Sequence, residues 1–137
     1  MSNVMLPLTY DECRARFRQA AARAGFDTEA HPIAAHGPEG QTLTIESLLV
    51  GADKPRRALI VMSGLHGVEG FIGSALQCDL LGRLDAAALP ADMAVLLLHA
   101  VNPWGMAWWR RQNESNVDLN RNWRRDHSTP LHNDAYD

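Results

Sequence analysis

A histidine and a glutamate stand three residues apart in the glycine-rich stretch SGLHGVEG, at His66 and Glu69. An imidazole nitrogen and a carboxylate are both good ligands of Zn²⁺, and two histidines with a glutamate form a known catalytic zinc site that keeps one position open. The surrounding glycines let the backbone bend sharply, so both side chains can face the same way. The alternative is a loop histidine followed by a carboxylate near a helix N-terminus, where negative charge is favourable. The motif therefore indicates candidate metal ligands and leaves a purely structural role open.

A second polar motif, NVDLNRNW, places Asn120 beside Arg121. Arginine presents a planar guanidinium that holds a carboxylate through two hydrogen bonds, and asparagine adds a neutral donor and acceptor. Close to a metal ion, this pair would orient a substrate through its free carboxylate. Arg110 or Arg111, a little upstream, could stabilise negative charge on a carbonyl oxygen. The alternative is a polar surface loop whose arginines pair with nearby carboxylates.

Composition excludes several classes of protein. The chain has 137 residues, 46% hydrophobic and 21% charged, which suits one domain with a packed core. Its net charge of −3 argues against a protein that binds nucleic acid through phosphate contacts. No apolar run approaches the roughly 20 residues of a membrane span, and the first residues lack a signal-peptide pattern. The two cysteines form no CxxC pair, so neither a zinc knuckle nor a disulfide framework is indicated, and we expect a cytoplasmic protein.

The spacing of apolar residues predicts a helix over 9–25, strands over 42–51 and 57–64, a helix over 70–84 and a strand over 93–103. The last three elements form a βαβ unit, whose strands are parallel. Two unbroken apolar strands favour a sheet that is covered on both faces. The predicted fold class is therefore α/β, with a mostly parallel or mixed sheet flanked by helices on both faces. Both polar motifs follow predicted strands, so we expect them to meet at the carboxyl edge of the sheet, where such folds bind ligands.

The predicted helices also carry signals for their ends and faces. Thr9 followed by Glu12 has the spacing of a capping box, and Gly25 is a typical helix terminator. In the second helix, the apolar residues at helical spacing predict the face that is turned to the core: Ile72, Leu76, Leu80 and Leu84.

The two motifs, in this order and with NPWGMAW between them, resemble the M14 superfamily of zinc carboxypeptidases, and most closely its DUF2817 branch. The matching stretches, SGLHGVEGFIGSALQ and AVNPWGMAWWRRQNESNVDLNRNW, lie within residues 40–125. The resemblance implies that His66 and Glu69 bind zinc. It also implies that Asn120 and Arg121 bind a carboxylate of the substrate, which would be a small molecule or a peptide.

The resemblance implies two further roles. By position, either Arg110 or Arg111 resembles the arginine that polarises the substrate carbonyl, with a slight preference for Arg110. Asp118 would orient a metal ligand or shape the loop, since metal ligands need orienting partners. Related branches, the aspartoacylase and succinylglutamate desuccinylase group, cleave acyl groups from amino acids.

The family also needs a third zinc ligand, a histidine on a later strand, and a still later glutamate as general base. Only sixteen residues follow Arg121, and neither His127 nor His132 among them has a preceding strand, so neither is expected to be the third ligand. His99, at the end of a predicted strand, is expected in the core or behind the site. We therefore expect residues 1–137 to form a single, incomplete domain, truncated at its C-terminus. Its open sheet edge could support self-association.

Two functional hypotheses follow from this sequence. The first is a zinc-dependent hydrolase of an amide bond next to a free carboxylate, of metallocarboxypeptidase or deacylase type, inactive as this fragment alone. The second is a non-catalytic remnant or subunit that binds metal or an anionic ligand. A serine hydrolase that uses LHGVEG as an oxyanion loop is disfavoured, because the chain has no G-x-S-x-G motif and Ser74 falls inside a predicted helix.

Overall fold

The computed structural model describes residues 6–121. In chain order the elements are helix α1 (Tyr10–Arg23), strands β1 (Glu29–His36), β2 (Thr42–Gly51) and β3 (Arg57–Met62), helix α2 (Gly70–Leu81), a 3₁₀ turn (Ala86–Ala88), strand β4 (Met93–His99) and helix α3 (Pro103–Ala107). None of the helices between residues 6 and 121 has the length and hydropathy that a membrane crossing requires.

Helix α1 begins and ends where its capping residues stand. The Thr9 hydroxyl accepts a hydrogen bond from the Glu12 amide at 3.2 Å. The Glu12 carboxylate accepts one from the Leu8 amide at 2.9 Å, one residue further back than in the usual capping box. Gly25 follows the helix in the left-handed region, at φ +80°, which glycine adopts without steric cost. The helix start and stop predicted from the sequence are therefore confirmed.

The four strands form one mixed sheet in the order β1-β2-β4-β3. β1 pairs with β2, and β2 with β4, in antiparallel fashion. β3 and β4 pair in parallel, with Val61 opposite Leu97. The predicted βαβ unit and the mixed α/β sheet flanked by helices are confirmed, and the unit brings the carboxyl ends of β3 and β4 side by side.

The main core lies on one face of this sheet. Leu48 and Leu97 on the strands pack there against Phe17 of α1 and Leu81 of α2. Helices α1 and α2 therefore cover the same face. The prediction of helices on both faces is wrong for the residues that the structure describes.

The predicted buried face of α2 is only partly right: Leu80 and Leu84 are partly buried against the core, but the other two residues of that face are not. Ile72 and Leu76 are 58% and 65% exposed. The buried positions include two polar residues instead, Ser74 and Gln77, and Ser74 bonds to His99. Because these polar side chains have partners inside the protein, the helix turns them inward and leaves apolar residues outside.

The other sheet face and the β3 edge form an open side of the described structure. Leu49, Leu96 and Ile60 are paired in register across three strands on this face, and Leu49 and Ile60 are exposed. Met62 is exposed on the same face. β3 reads as a fully buried strand in the sequence, but within residues 6–121 it is an edge strand with pairing on one side only.

We propose that the isolated chain self-associates through this open side, because an unpaired apolar edge strand readily pairs with another chain. Sedimentation velocity over a range of concentrations should show association. Ile60→Lys should suppress it by placing a charge on the exposed apolar face. Ala22→Lys, which adds the same charge on the exposed surface of α1, is the control and should associate like the wild type. A wild-type chain that stays monomeric throughout the range would contradict this prediction.

Stability should fall at acid pH because of His99. Its Nε2 lies 2.9 Å from the Ser74 hydroxyl, its ring stacks on Phe17, and its Nδ1 has no hydrogen-bond partner among the described residues. Burial lowers the pKa of His99 to about 4, against a partly opposing effect of the Glu46 carboxylate. The folded state therefore binds this proton at a lower pH than the unfolded state, in which the pKa of histidine is near 6.5. Stability is complete above pH 6.5 and decreases as the pH falls toward 4, by roughly 2 kcal/mol at pH 5.

Urea denaturation at pH 7.5 and pH 5 measures this loss. His99→Gln should reduce the difference between the two pH values, because the titrating group is gone. His31→Gln, at an exposed position on β1, should retain it. An unchanged pH dependence in His99→Gln would show that another group causes the loss.

Candidate metal centre

The two polar motifs meet where β3 and β4 end. Past the strands, the Val101 amide donates to the Ser63 carbonyl at 2.9 Å and the Asn102 amide to the Gly64 carbonyl at 2.8 Å. Gln77 of α2 donates to the carbonyls of Val61 and Leu98 and accepts from the Ser63 hydroxyl. The connections that leave the two strands are therefore held together before they diverge.

The turn from β3 to α2 packs directly on α3. Gly64 has φ +70°, a conformation that side-chain-bearing residues rarely adopt. Any side chain at Gly67 would overlap the backbone of Gly105 in α3. Asn102 caps α3 by accepting from the Gly105 amide, and its side-chain amide donates to the Gln112 carbonyl at 2.9 Å. The loop after α3 is thereby drawn back toward the turn.

His66 lies between two carboxylates. Its side chain is almost fully buried, with Nδ1 3.3 Å from Glu69 Oε2 and Nε2 3.0 Å from Asp118 Oδ1. The hydrogen bond from His66, followed by contributions from Arg111 and the Asn120 amide, lowers the pKa of Asp118 to about 2, although partial burial opposes this shift. Asp118 is therefore ionised at neutral pH and can only accept, so Nε2 carries the hydrogen that it receives.

This arrangement leaves His66 Nδ1 facing a carboxylate oxygen. In a neutral ring that is protonated on Nε2, Nδ1 is a lone pair, and two acceptors at this distance need a proton or a cation between them. Two ligands of a tetrahedral zinc ion, each roughly 2.0–2.2 Å from the metal, lie about 3.3–3.6 Å apart. The pair of His66 Nδ1 and Glu69 Oε2 therefore fits two corners of a zinc site.

A complete ligand set does not lie within the described part of the chain. Between residues 6 and 121, no group of three or more His, Cys, Asp or Glu side chains is arranged to hold a metal ion. His99 lies in the core, as expected from its strand. His127 and His132 lie outside the described residues.

Arg111 and Arg110 point to different places. Arg111 Nε donates to Asp118 Oδ2 at 3.1 Å, and its Nη1 lies 3.8 Å from Glu69 Oε1. Arg110 lines a separate cleft of about 230 Å³ beside Trp104 and away from His66. The spacing of residues slightly favours Arg110 as the carbonyl-polarising arginine, whereas the geometry favours Arg111.

Asn120 lies at the candidate site, with Arg121 next to it. Asn120 lines a cleft of about 330 Å³ together with His66 and Glu69. The Asn120 and Arg121 amides donate to the side chain and the carbonyl of Asp118, respectively. Asp118 thus orients His66 and shapes the turn that presents the Asn–Arg pair. Arg121 is exposed and is the last described residue.

Two residues hold these segments together, Gln77 and Asn102. The sequence placed Asn102 at the end of the second strand of the unit but did not predict its bridging role, and it did not identify Gln77. Each carried a recognisable signal. Gln77 is polar within an apolar helix, and Asn102 precedes Pro103 directly after a strand, a typical arrangement for a helix N-cap followed by proline at the first position.

The family described as "Protein of unknown function (DUF2817)" matches residues 7–137. This chain belongs to the DUF2817 family. No curated protein matches the sequence of this DUF2817 chain.

Solved structures share its fold. A metallo-carboxypeptidase from Burkholderia cenocepacia is similar with a TM-score of 0.51 and 19% identity, over 82% of this chain and 32% of that one. Thrombin activatable fibrinolysis inhibitor (TAFI) is similar with a TM-score of 0.51 and 18% identity, over 84% of this chain and 34% of that one. The DUF2817 chain therefore has a carboxypeptidase-like fold and spans about a third of the length of the solved structures that it matches.

Proposed function

We propose that this chain forms part of the active site of a zinc-dependent hydrolase that cleaves an amide bond next to a free carboxylate. The observation that carries the proposal is the opposed pair of His66 Nδ1 and Glu69 Oε2, 3.3 Å apart, with the other ring nitrogen held by Asp118. The likeness of the fold to a metallo-carboxypeptidase supports the same class of chemistry.

His66 and Glu69 would hold the metal ion, and Asp118 would fix the tautomer and orientation of the His66 ring. Bound zinc would supply Lewis-acid chemistry, which polarises the carbonyl of the scissile bond and lowers the pKa of water. In this proposal, the third ligand and the general base come from outside residues 6–121, as the resemblance to the family implies.

Substrate recognition would rest on the loop after α3. Asn120 lines the cleft beside His66, and the adjoining Arg121 would grip the free carboxylate through paired hydrogen bonds. Arg111 would donate to the carbonyl oxygen as negative charge develops there, because its guanidinium already lies at the edge of the His66–Glu69 pair. Asn120 and Arg121 would set the position of the substrate, and Arg111 would act on its reacting carbonyl.

A specific observation favours the second hypothesis, a non-catalytic remnant or subunit. Arg111 lies between Glu69 and Asp118 and supplies a positive charge to both carboxylates. If His66 carried a proton on both ring nitrogens, its positive charge and that of Arg111 would balance the two carboxylates without a metal ion. In that case the exposed Arg121 would bind an anionic ligand, with no hydrolysis.

Metal removal separates the two hypotheses. The longest native product of this gene should hydrolyse peptides or N-acylated amino acids with a free carboxylate, lose that activity on chelation and regain it with zinc. The same substrates with an amidated carboxylate should react poorly, because Arg121 loses its partner. Equilibrium dialysis with zinc is the accompanying binding measurement. Hydrolysis that survives complete removal of metal, or a gene product that binds no zinc, would refute the hypothesis of a zinc hydrolase.

A further inference from the structure

A second cleft, unrelated to the candidate metal centre, lies where the start of α1, the β1–β2 turn and the end of α3 meet. Its volume is about 520 Å³, and it is lined by aromatic, acidic and small polar residues: Thr9, Tyr10, Asp11, Glu39, Gln41 and Trp109 among them. Neither His66 nor Glu69 borders it. Proposals about this cleft therefore do not depend on the hydrolase.

Trp108 and Trp109 present open indole faces in this cleft. They are 43% and 53% exposed, although each ring is held in place. Trp108 Nε1 donates to the His36 carbonyl at 3.0 Å, and Trp109 stacks on Phe71 with ring centroids 4.7 Å apart. Trp109 also has φ +55°, an uncommon conformation for a bulky residue. Trp108 also stacks on Trp104, with ring centroids 5.9 Å apart, so each ring is packed against one aromatic neighbour and remains about half exposed.

The charge of the cleft is acidic. Its lining contains the carboxylates of Asp11 and Glu39 and no Lys or Arg side chain. Both oxygens of the Asp11 carboxylate already have partners, since Arg14 lies 3.1 Å from one and Gln41 donates to the other at 3.0 Å. Glu39 is exposed, and its carboxylate has no partner within residues 6–121. One free negative charge therefore stands beside two indole faces.

Aromatic faces next to a carboxylate attract cations. Guanidinium suits such a site best, because it is planar, stacks on aromatic rings and forms paired hydrogen bonds with carboxylates. The chain shows the same chemistry at the rim of the cleft, where Arg14 lies over the Tyr10 ring at 5.2 Å and pairs with Asp11. We propose that this cleft binds a guanidinium group, carried by an arginine side chain of a peptide or by a small guanidine. The indole rings provide the stacking surface and Glu39 the counter-charge.

Two-dimensional NMR of the indole N–H signals tests this proposal on the 137-residue chain. N-acetyl-arginine methylamide should shift the Trp108 and Trp109 signals in a saturable manner, and the shifts should weaken with added salt. N-acetyl-citrulline methylamide, which has the same shape without the charge, should bind much more weakly. Ethylguanidinium is the second arm. Equal affinity for it shows that the guanidinium alone is recognised, and tighter binding of the arginine amide points to a peptide.

Variants assign the binding to this cleft. Trp109→Leu and Glu39→Gln should each weaken binding about two- to fivefold. Glu39 is exposed, so its substitution leaves the fold intact. Glu114→Gln, an exposed carboxylate that lines the separate cleft beside Arg110, is the matched control and should bind like the wild type. Equal binding of the citrulline analogue, or unchanged affinity in Glu39→Gln and Trp109→Leu, would overturn the proposal.

Discussion

Arg111→Ala is expected to lower the kcat of the longest native gene product about 10²- to 10³-fold, the usual effect of losing one donor to a developing oxyanion. Arg111 places its guanidinium within 3.1 Å of Asp118 and 3.8 Å of Glu69, at the edge of the candidate metal centre. Its charge is permanent, so it can donate to a carbonyl oxygen at any pH at which the protein is folded. KM should change much less than kcat, because the interaction strengthens only as charge develops on the substrate.

Arg110→Ala is the matched control for this prediction. The two arginines are adjacent, chemically identical and exposed, but Arg110 lies in the cleft beside Trp104. Arg110→Ala should therefore retain kcat close to the wild-type value. Both variants should melt at nearly the same temperature as the wild type, since exposed ion pairs contribute little to stability. If Arg110→Ala loses activity and Arg111→Ala does not, the assignment from geometry is wrong and the weaker preference from spacing is right.

These two arginines show what sequence spacing can and cannot decide. The spacing between motifs places an arginine near the site, but consecutive residues in a loop point in different directions, and the loop path decides which one faces inward. That path depends on contacts far away in sequence, such as the hydrogen bond from Asn102 to the Gln112 carbonyl. A pattern of residue types carries no information on such a contact.

Periodicity predicts elements more reliably than it predicts the faces that those elements bury. The βαβ unit was predicted because two strands of mostly apolar residues, six and seven residues long and separated by a helix, have few other solutions. The inward face of α2 was predicted only in part, because apolar residues surround most of that helix. Leu80 and Leu84 do pack against the core, but the buried positions Ser74 and Gln77 were not expected. Each of these polar residues has a buried partner, and an unpartnered polar group inside the protein costs more than an exposed leucine. The exposed Ile72 and Leu76 are the consequence.

The apolar character of β3 predicts a buried strand, but within residues 6–121 the strand lies at the edge of the sheet and most of its residues are exposed. The solved structures that share the fold are about three times as long as the region that they match. The apolar residues of β3 indicate a surface suited to packing. The residue pattern does not specify what packs against it. The same holds for the site, where His66 and Glu69 would supply two ligands and the described residues include no group of three arranged to hold a metal ion.

Asp118→Asn is expected to weaken zinc binding by the longest native gene product about 10- to 100-fold, the usual cost of removing an orienting partner from a metal ligand. The Asp118 carboxylate can only accept, and this holds the hydrogen of His66 on Nε2 and the lone pair on Nδ1, facing Glu69. An amide in its place can donate as well as accept, so the opposite tautomer becomes available. Arg111 also loses its counter-charge at 3.1 Å and would repel a divalent cation more strongly.

Competition against a chromophoric chelator measures the affinity, and Asp92→Asn is the matched control. Asp92 pairs with Arg57 at the exposed start of β3, so the same chemical change is made at an ion pair far from His66. Asp118→Asn still offers an oxygen to the Asn120 amide, so the loop that carries the Asn–Arg pair should keep its shape. If Asp118→Asn binds zinc as tightly as Asp92→Asn, then Asp118 does not position a metal ligand. Asp118 would in that case serve only in the ion pair with Arg111 and in the turn that presents Asn120.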